Sequence, residues 1–236
     1  AAVFQGQVSL SDCPFIGEDI LNIYGNKNDT YESKAEQDYL EALDRLKEKI
    51  RQTDLAARAD LLGGTFLNGK LTFKIMGKDF SVDTNGKIST DIHVNHWIAP
   101  PVLNYILSGK GQALTNTWVP FRELETSKDW SRFFEHQCVN LFKKIADENP
   151  SFFEDLIELF NGQPVENHYD ADIALIIKPL PLLPILICYN RPEDGMASDL
   201  NLFFDTTADK NLPVGNIYTL TTGLAKMFEK LAATHG

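Results

Sequence analysis

Ile173-Ala-Leu-Ile-Ile-Lys-Pro-Leu-Pro-Leu-Leu-Pro-Ile-Leu-Ile-Cys-Tyr189 decides the fold. Two apolar runs, Ile173–Ile177 and Ile185–Tyr189, flank a segment stiffened by Pro179, Pro181 and Pro184. Each run is too short for a typical buried helix and rich in β-branched residues. Continuous apolar runs of this length suit strands buried on both faces of a sheet. Lys178 and the prolines also rule out a bilayer span, which needs about 20 apolar residues. Leu200 to Phe204 adds a further strand.

Working outward, the flanking segments carry helical periods. Ala35, Tyr39, Leu43, Leu46 and Ile50 recur at helical spacing, with Ser33-Lys-Ala-Glu36 as a capping box or, for a helix starting at Thr30, an internal match. A short helix from Asp54 to Leu62 stops at Gly63-Gly64. Val102, Leu103, Ile106 and Leu107 follow Pro100-Pro101 and predict a helix ended by Gly109 and Gly111. A helix from Asp129 presents Trp130, Phe133, Phe134, Cys138, Leu141, Phe142 and Ile145. Another opens on a Ser151-Phe-Phe-Glu154 capping box and ends near Asn161-Gly162. Ile217, Leu220, Leu224, Met227, Phe228 and Leu231 mark a terminal helix.

Between these helices the period changes to two. Leu71, Phe73 and Ile75 alternate with Thr72 and Lys74, while Gly77-Lys78 and Asp83-Thr-Asn-Gly86 are turn material. Residues 70–90 are therefore expected to form a small β-meander. The whole predicts an α+β fold: a small β-meander plus a buried mixed sheet packed with amphipathic helices. No βαβ rhythm is present.

The 236 residues are 43% hydrophobic and 23% charged, with a net charge of −11. An acidic chain without a Lys/Arg block is a poor nucleic-acid or anionic-membrane binder. Three scattered cysteines do not make a disulfide framework, and a reducing cytoplasm is the expected location.

The first fourteen residues, Ala1-Ala-Val-Phe-Gln-Gly-Gln-Val-Ser-Leu-Ser-Asp-Cys13-Pro14, run from small residues through a Gly and a polar linker to Cys-Pro. That order resembles the closing segment of a four-iron–four-sulfur (4Fe-4S) domain. The resemblance implies Cys13 as a cofactor and metal ligand whose partners lie upstream, and a chain that is a fragment or processed. Thiolates suit soft iron, and the cluster potential depends on burial and hydrogen bonding. The implied organisation is 1–16 as a remnant of an iron–sulfur domain, 17–29 as a linker and 30–236 as the α+β domain.

Five stretches carry a second resemblance: Leu62-Gly-Gly-Thr-Phe-Leu-Asn-Gly-Lys-Leu-Thr-Phe-Lys-Ile-Met-Gly77, Trp118-Val-Pro-Phe-Arg-Glu-Leu124, Asp170-Ala-Asp-Ile-Ala-Leu175, the Pro179–Tyr189 segment and Leu202-Phe-Phe-Asp205. Together they resemble a bacterial and archaeal family known as a domain of unknown function. Its members occur mostly in anaerobes, often fused behind a 4Fe-4S domain. The resemblance implies an accessory or partner-binding domain of an iron–sulfur protein in electron transfer or redox sensing. It also implies a redox or corrinoid-type protein partner, and it supplies no catalytic residues.

The residues themselves leave other readings open. Asp170 and Asp172 precede one buried strand, Glu193 and Asp194 follow the next, and Asp205 ends the third. Strand-end carboxylates can converge on a pocket as acids, bases or metal ligands, with Trp118 lining it, or they can cap turns. The first option makes a metal-dependent enzyme; a non-redox structural interaction domain is the other alternative. His93-Val-Asn-His96 has metal-ligand spacing, with exposed histidines as the default. Cys138 and Cys188 sit in apolar patterns that make them core residues. P-loop, G-x-G-x-x-G, G-x-S-x-G and H-E-x-x-H signatures are all missing.

Overall fold

The computed structural model describes residues 29–166 and 170–235. Residues 1–28 lie outside it, so the expected iron–sulfur remnant and all but the last residue of the linker are not described. The first helix, Asp29–Arg51, begins before Ser33, so the Ser33–Glu36 match is internal. Leu55–Leu61 follows, capped by the Asp54 carboxylate, which accepts from the amides of Ala56 and Ala57.

The fold class is α+β, with two open sheets. The smaller is an antiparallel meander of β1 (Thr65–Leu67), β2 (Lys70–Ile75), β3 (Lys78–Asp83) and β4 (Ile88–Thr90). Leu71, Phe73, Ile75, Phe80 and Val82 face the core on alternate positions, as the sequence period requires.

The larger sheet has the order β5-β9-β8-β7-β6, where β5 is Trp118–Pro120, β6 Gln163–Pro164, β7 Ile173–Leu180, β8 Leu183–Asn190 and β9 Asp199–Asp205. Every pairing in it is antiparallel, so the sheet expected to be mixed is not. Its register stacks three cross-strand rows on the core face: Ile173, Tyr189 and Leu200; Leu175, Ile187 and Leu202; Ile177, Ile185 and Phe204. On the opposite face Ala174, Leu186 and Cys188 form a second cluster with Trp118, Ile176 and Phe203. Both faces are apolar, which explains the unbroken runs in the sequence.

Helices cover the core face. The stripe expected from Asp129 is one interrupted helix: Ser131–Phe134, a π turn at Glu135–Val139, then Asn140–Glu148. It packs against β9 and the terminal helix Val214–His235. Phe121 stacks on Phe134 with centroids 4.0 Å apart, and Phe142 meets Phe228 edge-on at 5.6 Å. Helix Phe152–Phe160 forms as expected, but its Ser151 hydroxyl does not cap it; that hydroxyl contacts the Asp155 carboxylate at 3.3 Å instead. No helix among the described residues is long and apolar enough to cross a membrane.

Candidate functional site at the seam of the two sheets

The two sheets meet at the tip of the β2–β3 hairpin. Ile75 pairs with Lys78, leaving Met76 and Gly77 as a two-residue loop. Their φ values of +49° and +79° are those of a type I′ turn, which matches the right-handed twist of the strands. A methionine in the left-handed region costs roughly 1–2 kcal/mol. Met76 is only 3% exposed, and burying such a side chain contributes about 1.5–3 kcal/mol, so burial outweighs the strain. The Met76 amide then donates to the Lys178 carbonyl at 3.1 Å, joining the small sheet to β7.

Lys178 owes its position to the residue after it. The β7–β8 register shifts between Ile177 and Leu180, where Pro179 has no N–H to give the ladder. The same bend frees the Lys178 carbonyl for Met76. Tyr105 secures the seam from below. Its hydroxyl donates to the Leu62 carbonyl at 2.8 Å and accepts from the Leu182 amide at 3.3 Å. Burial raises the Tyr105 pKa, so the phenol stays neutral.

A cleft of about 440 Å³ opens at this junction. Lys74, Lys78 and Lys178 line it, with Met76, Leu159 and Pro181 as apolar surface and Glu158 and Asn161 at the end of the neighbouring helix. Lys74 is paired with Asp79 at 2.8 Å. Among the described residues Lys78 and Lys178 have no ion-pair partner. The arrangement can bind an anion whose body lies on the apolar surface.

Among the described residues, those singled out by sequence do not come together in that cleft or in one shared site. Asp172 lies at one end of the large sheet, where its carboxylate accepts from the Arg191 amide at 2.8 Å. Asp170 sits two residues earlier in a turn with φ +50°. Asp205 is at the opposite end, since Phe204 pairs with Ile185 while Asn190 reaches Asp172. Five residues of β8 separate those positions, about 17 Å of strand. The expected carboxylate pocket is therefore corrected: these groups cannot share one ion.

Asp205 instead closes a loop. Its side chain accepts from the amides of Thr115, Asn116 and Thr207 and from the hydroxyls of Thr115 and Thr207, at 2.6–3.2 Å. Burial works to raise its pKa, but the Thr207 hydroxyl and the three amides outweigh it and hold the carboxyl below its ordinary value. Trp118 pairs with Asp205 across the β5–β9 ladder and packs in the cluster on the far face of the sheet.

The iron–sulfur and metal-binding expectation is also corrected. Among the described residues no group of three or more His, Cys, Asp or Glu could hold a metal ion. Cys13 lies outside the described residues. Cys138 is fully buried with its Sγ 3.1 Å from the Thr222 hydroxyl, and Cys188 is in β8, its thiol pushed up to about 11 by burial. Both are core residues, as expected. Of the histidine pair, His93 is exposed, while His96 packs edge-on against Tyr39 with centroids 5.9 Å apart.

The lysine cleft is what sequence reasoning missed. Its only signal was Lys178, a charge interrupting an apolar run with no evident reason to be there.

A two-sheet α+β domain with an anion-compatible seam is thus the class of structure. The chain belongs to the family described as a domain of unknown function (DUF3786), which matches residues 54–227. No curated protein and no solved structure matches it. The matched region contains both sheets and every residue lining the cleft.

Proposed function

We propose that this is an accessory binding domain that holds a small anionic ligand in the seam cleft. One observation carries the reading. On a chain of net charge −11, Lys78 and Lys178 come from different sheets to one cleft without an ion-pair partner among the described residues. Exposed lysines usually lie scattered in water; two converging on an apolar-floored concavity supply charge and buried surface together, the composition of a ligand site. A bound anion would bridge the two sheets at the Met76–Lys178 contact, so occupancy and the docking of the hairpin would support one another.

The test is thermal unfolding and calorimetric titration of the chain against a panel of small organic anions. A ligand present at about 100 times its Kd should raise stability by about 2.7 kcal/mol. The gain should vanish in Lys78→Glu and in Lys178→Glu. A panel of mono- and dianions that leaves both the melting curve and the calorimeter unmoved would sink the proposal.

A further inference from the structure

The cleft lining divides by chemistry, and the division specifies what fits it. Three ammoniums and one carboxylate, Glu158, line the cleft, a net charge of +2. Asp79, the partner of Lys74, stands outside the lining. The charge is presented by lysines alone; no arginine lines the cleft. That distinction matters. A guanidinium fork grips carboxylate or phosphate in a fixed plane, whereas lysines are compact point charges on flexible stems that can converge on one multiply charged centre. Beside them Leu159 and Pro181 offer a surface with no hydrogen-bonding side chain.

We propose that the ligand is a phosphate monoester carried on an apolar body, a deepening that rests on the anion-binding reading above. A phosphate monoester concentrates close to two negative charges and three acceptor oxygens on one tetrahedral head at neutral pH. That head meets Lys78 and Lys178, which approach from β3 and β7. The organic body lies against Leu159 and Pro181. Asn161, whose backbone is left-handed at φ +56°, ends its helix at the same rim and offers an amide to the ester side.

Three probes at neutral pH and low salt test this: phenyl phosphate, phenyl sulfate and inorganic phosphate, each titrated calorimetrically into the whole chain. Phenyl sulfate keeps the ring and the tetrahedral head but carries one charge. Inorganic phosphate keeps the charge and loses the body. The expected result is phenyl phosphate binding about tenfold tighter than either of the others. Lys78→Glu and Lys178→Glu should abolish that binding while leaving the melting temperature of the free protein unchanged. A milder Lys178→Gln variant, about tenfold weaker, guards against a folding artefact.

Equal affinity for the phosphate and sulfate esters overturns the dianion claim and leaves the anion site standing. Inorganic phosphate binding as tightly as the ester overturns the apolar body. Failure of every probe at millimolar concentration overturns the phosphate-ester proposal, and the anion reading falls with it only if the wider panel of mono- and dianions also fails to bind.

Discussion

The two regions that hold the most informative charges, the Asp205 loop and the seam cleft, treat them in opposite ways. Asp205 is fully buried, and three amides and two hydroxyls are already aimed at it. Lys78 and Lys178 are exposed, and among the described residues nothing of opposite charge pairs with them. A charge whose partners are built into the fold is part of the fold. A charge held at a concave surface without them is available to something else. In the sequence a carboxylate at a strand end looks functional and a lone lysine in an apolar run looks incidental; the structure shows the first tied into the fold and the second unpaired among the described residues.

The largest effect should come from breaking the first region. Asp205→Ala leaves three amides and two hydroxyls without their acceptor, two of these donors on buried Thr207, and is expected to cost about 3 kcal/mol, read from urea denaturation midpoints. The same clamp has a pH signature. The folded-state pKa of Asp205 lies below its ordinary value of 3.8, so its contribution is complete above that value and is lost as pH falls towards the folded pKa. The stability gap between the protein and Asp205→Asn should therefore narrow below about pH 4. A gap that stays constant down to acid unfolding would contradict the clamp.

Tyr105→Phe comes next. It removes the partner of the Leu62 carbonyl and the Leu182 amide beneath the seam, and should cost about 2 kcal/mol. It should also loosen hydrogen exchange at the Met76 amide, which a purely local packing loss would not.

Gly77→Ala is expected to cost about 1 kcal/mol. The glycine has φ +79°, and an added Cβ would come within 3.0 Å of the Asn161 Cβ. Because the hairpin tip forms one wall of the cleft, this variant should weaken anion binding as well as stability. Unchanged binding would separate the hairpin from the site.

The smallest stability effect sharpens the comparison most. Lys178→Glu should shift unfolding by no more than about 0.5 kcal/mol, as surface substitutions do, while removing anion binding. A large stability loss would mean that Lys178 belongs with Asp205 as part of the framework.

Much of the architecture was legible because hydrophobic period survives in the chain. The alternation Leu71, Phe73, Ile75 placed β2, and the stripe through Phe134, Phe142 and Ile145 placed the central helix. The pieces that escaped were those without a period to read. β5 and β6 are three and two residues long and exist only as edges paired to β9 and β7. The π turn at Glu135–Val139 leaves the helical spacing nearly intact, so the stripe does not reveal it. The role of Asp205 did have a local cue in Thr206-Thr207, since Asp followed by Thr two residues on is the pattern of a side-chain turn.

The sequence by itself determined the α+β class, the main helices and strands, and the burial of Cys138 and Cys188. These follow from side-chain period and from the free energy of removing apolar surface from water, both properties of neighbouring residues. Only the tertiary structure decided which charged groups meet. It sent Asp172 and Asp205 to opposite ends of one sheet through antiparallel register, and it brought Lys74 and Lys78 to Lys178, 100 residues further along, through the docking of a hairpin tip on a proline bulge. Register and docking are set by contacts between segments far apart in the chain, and no local pattern of residues records them.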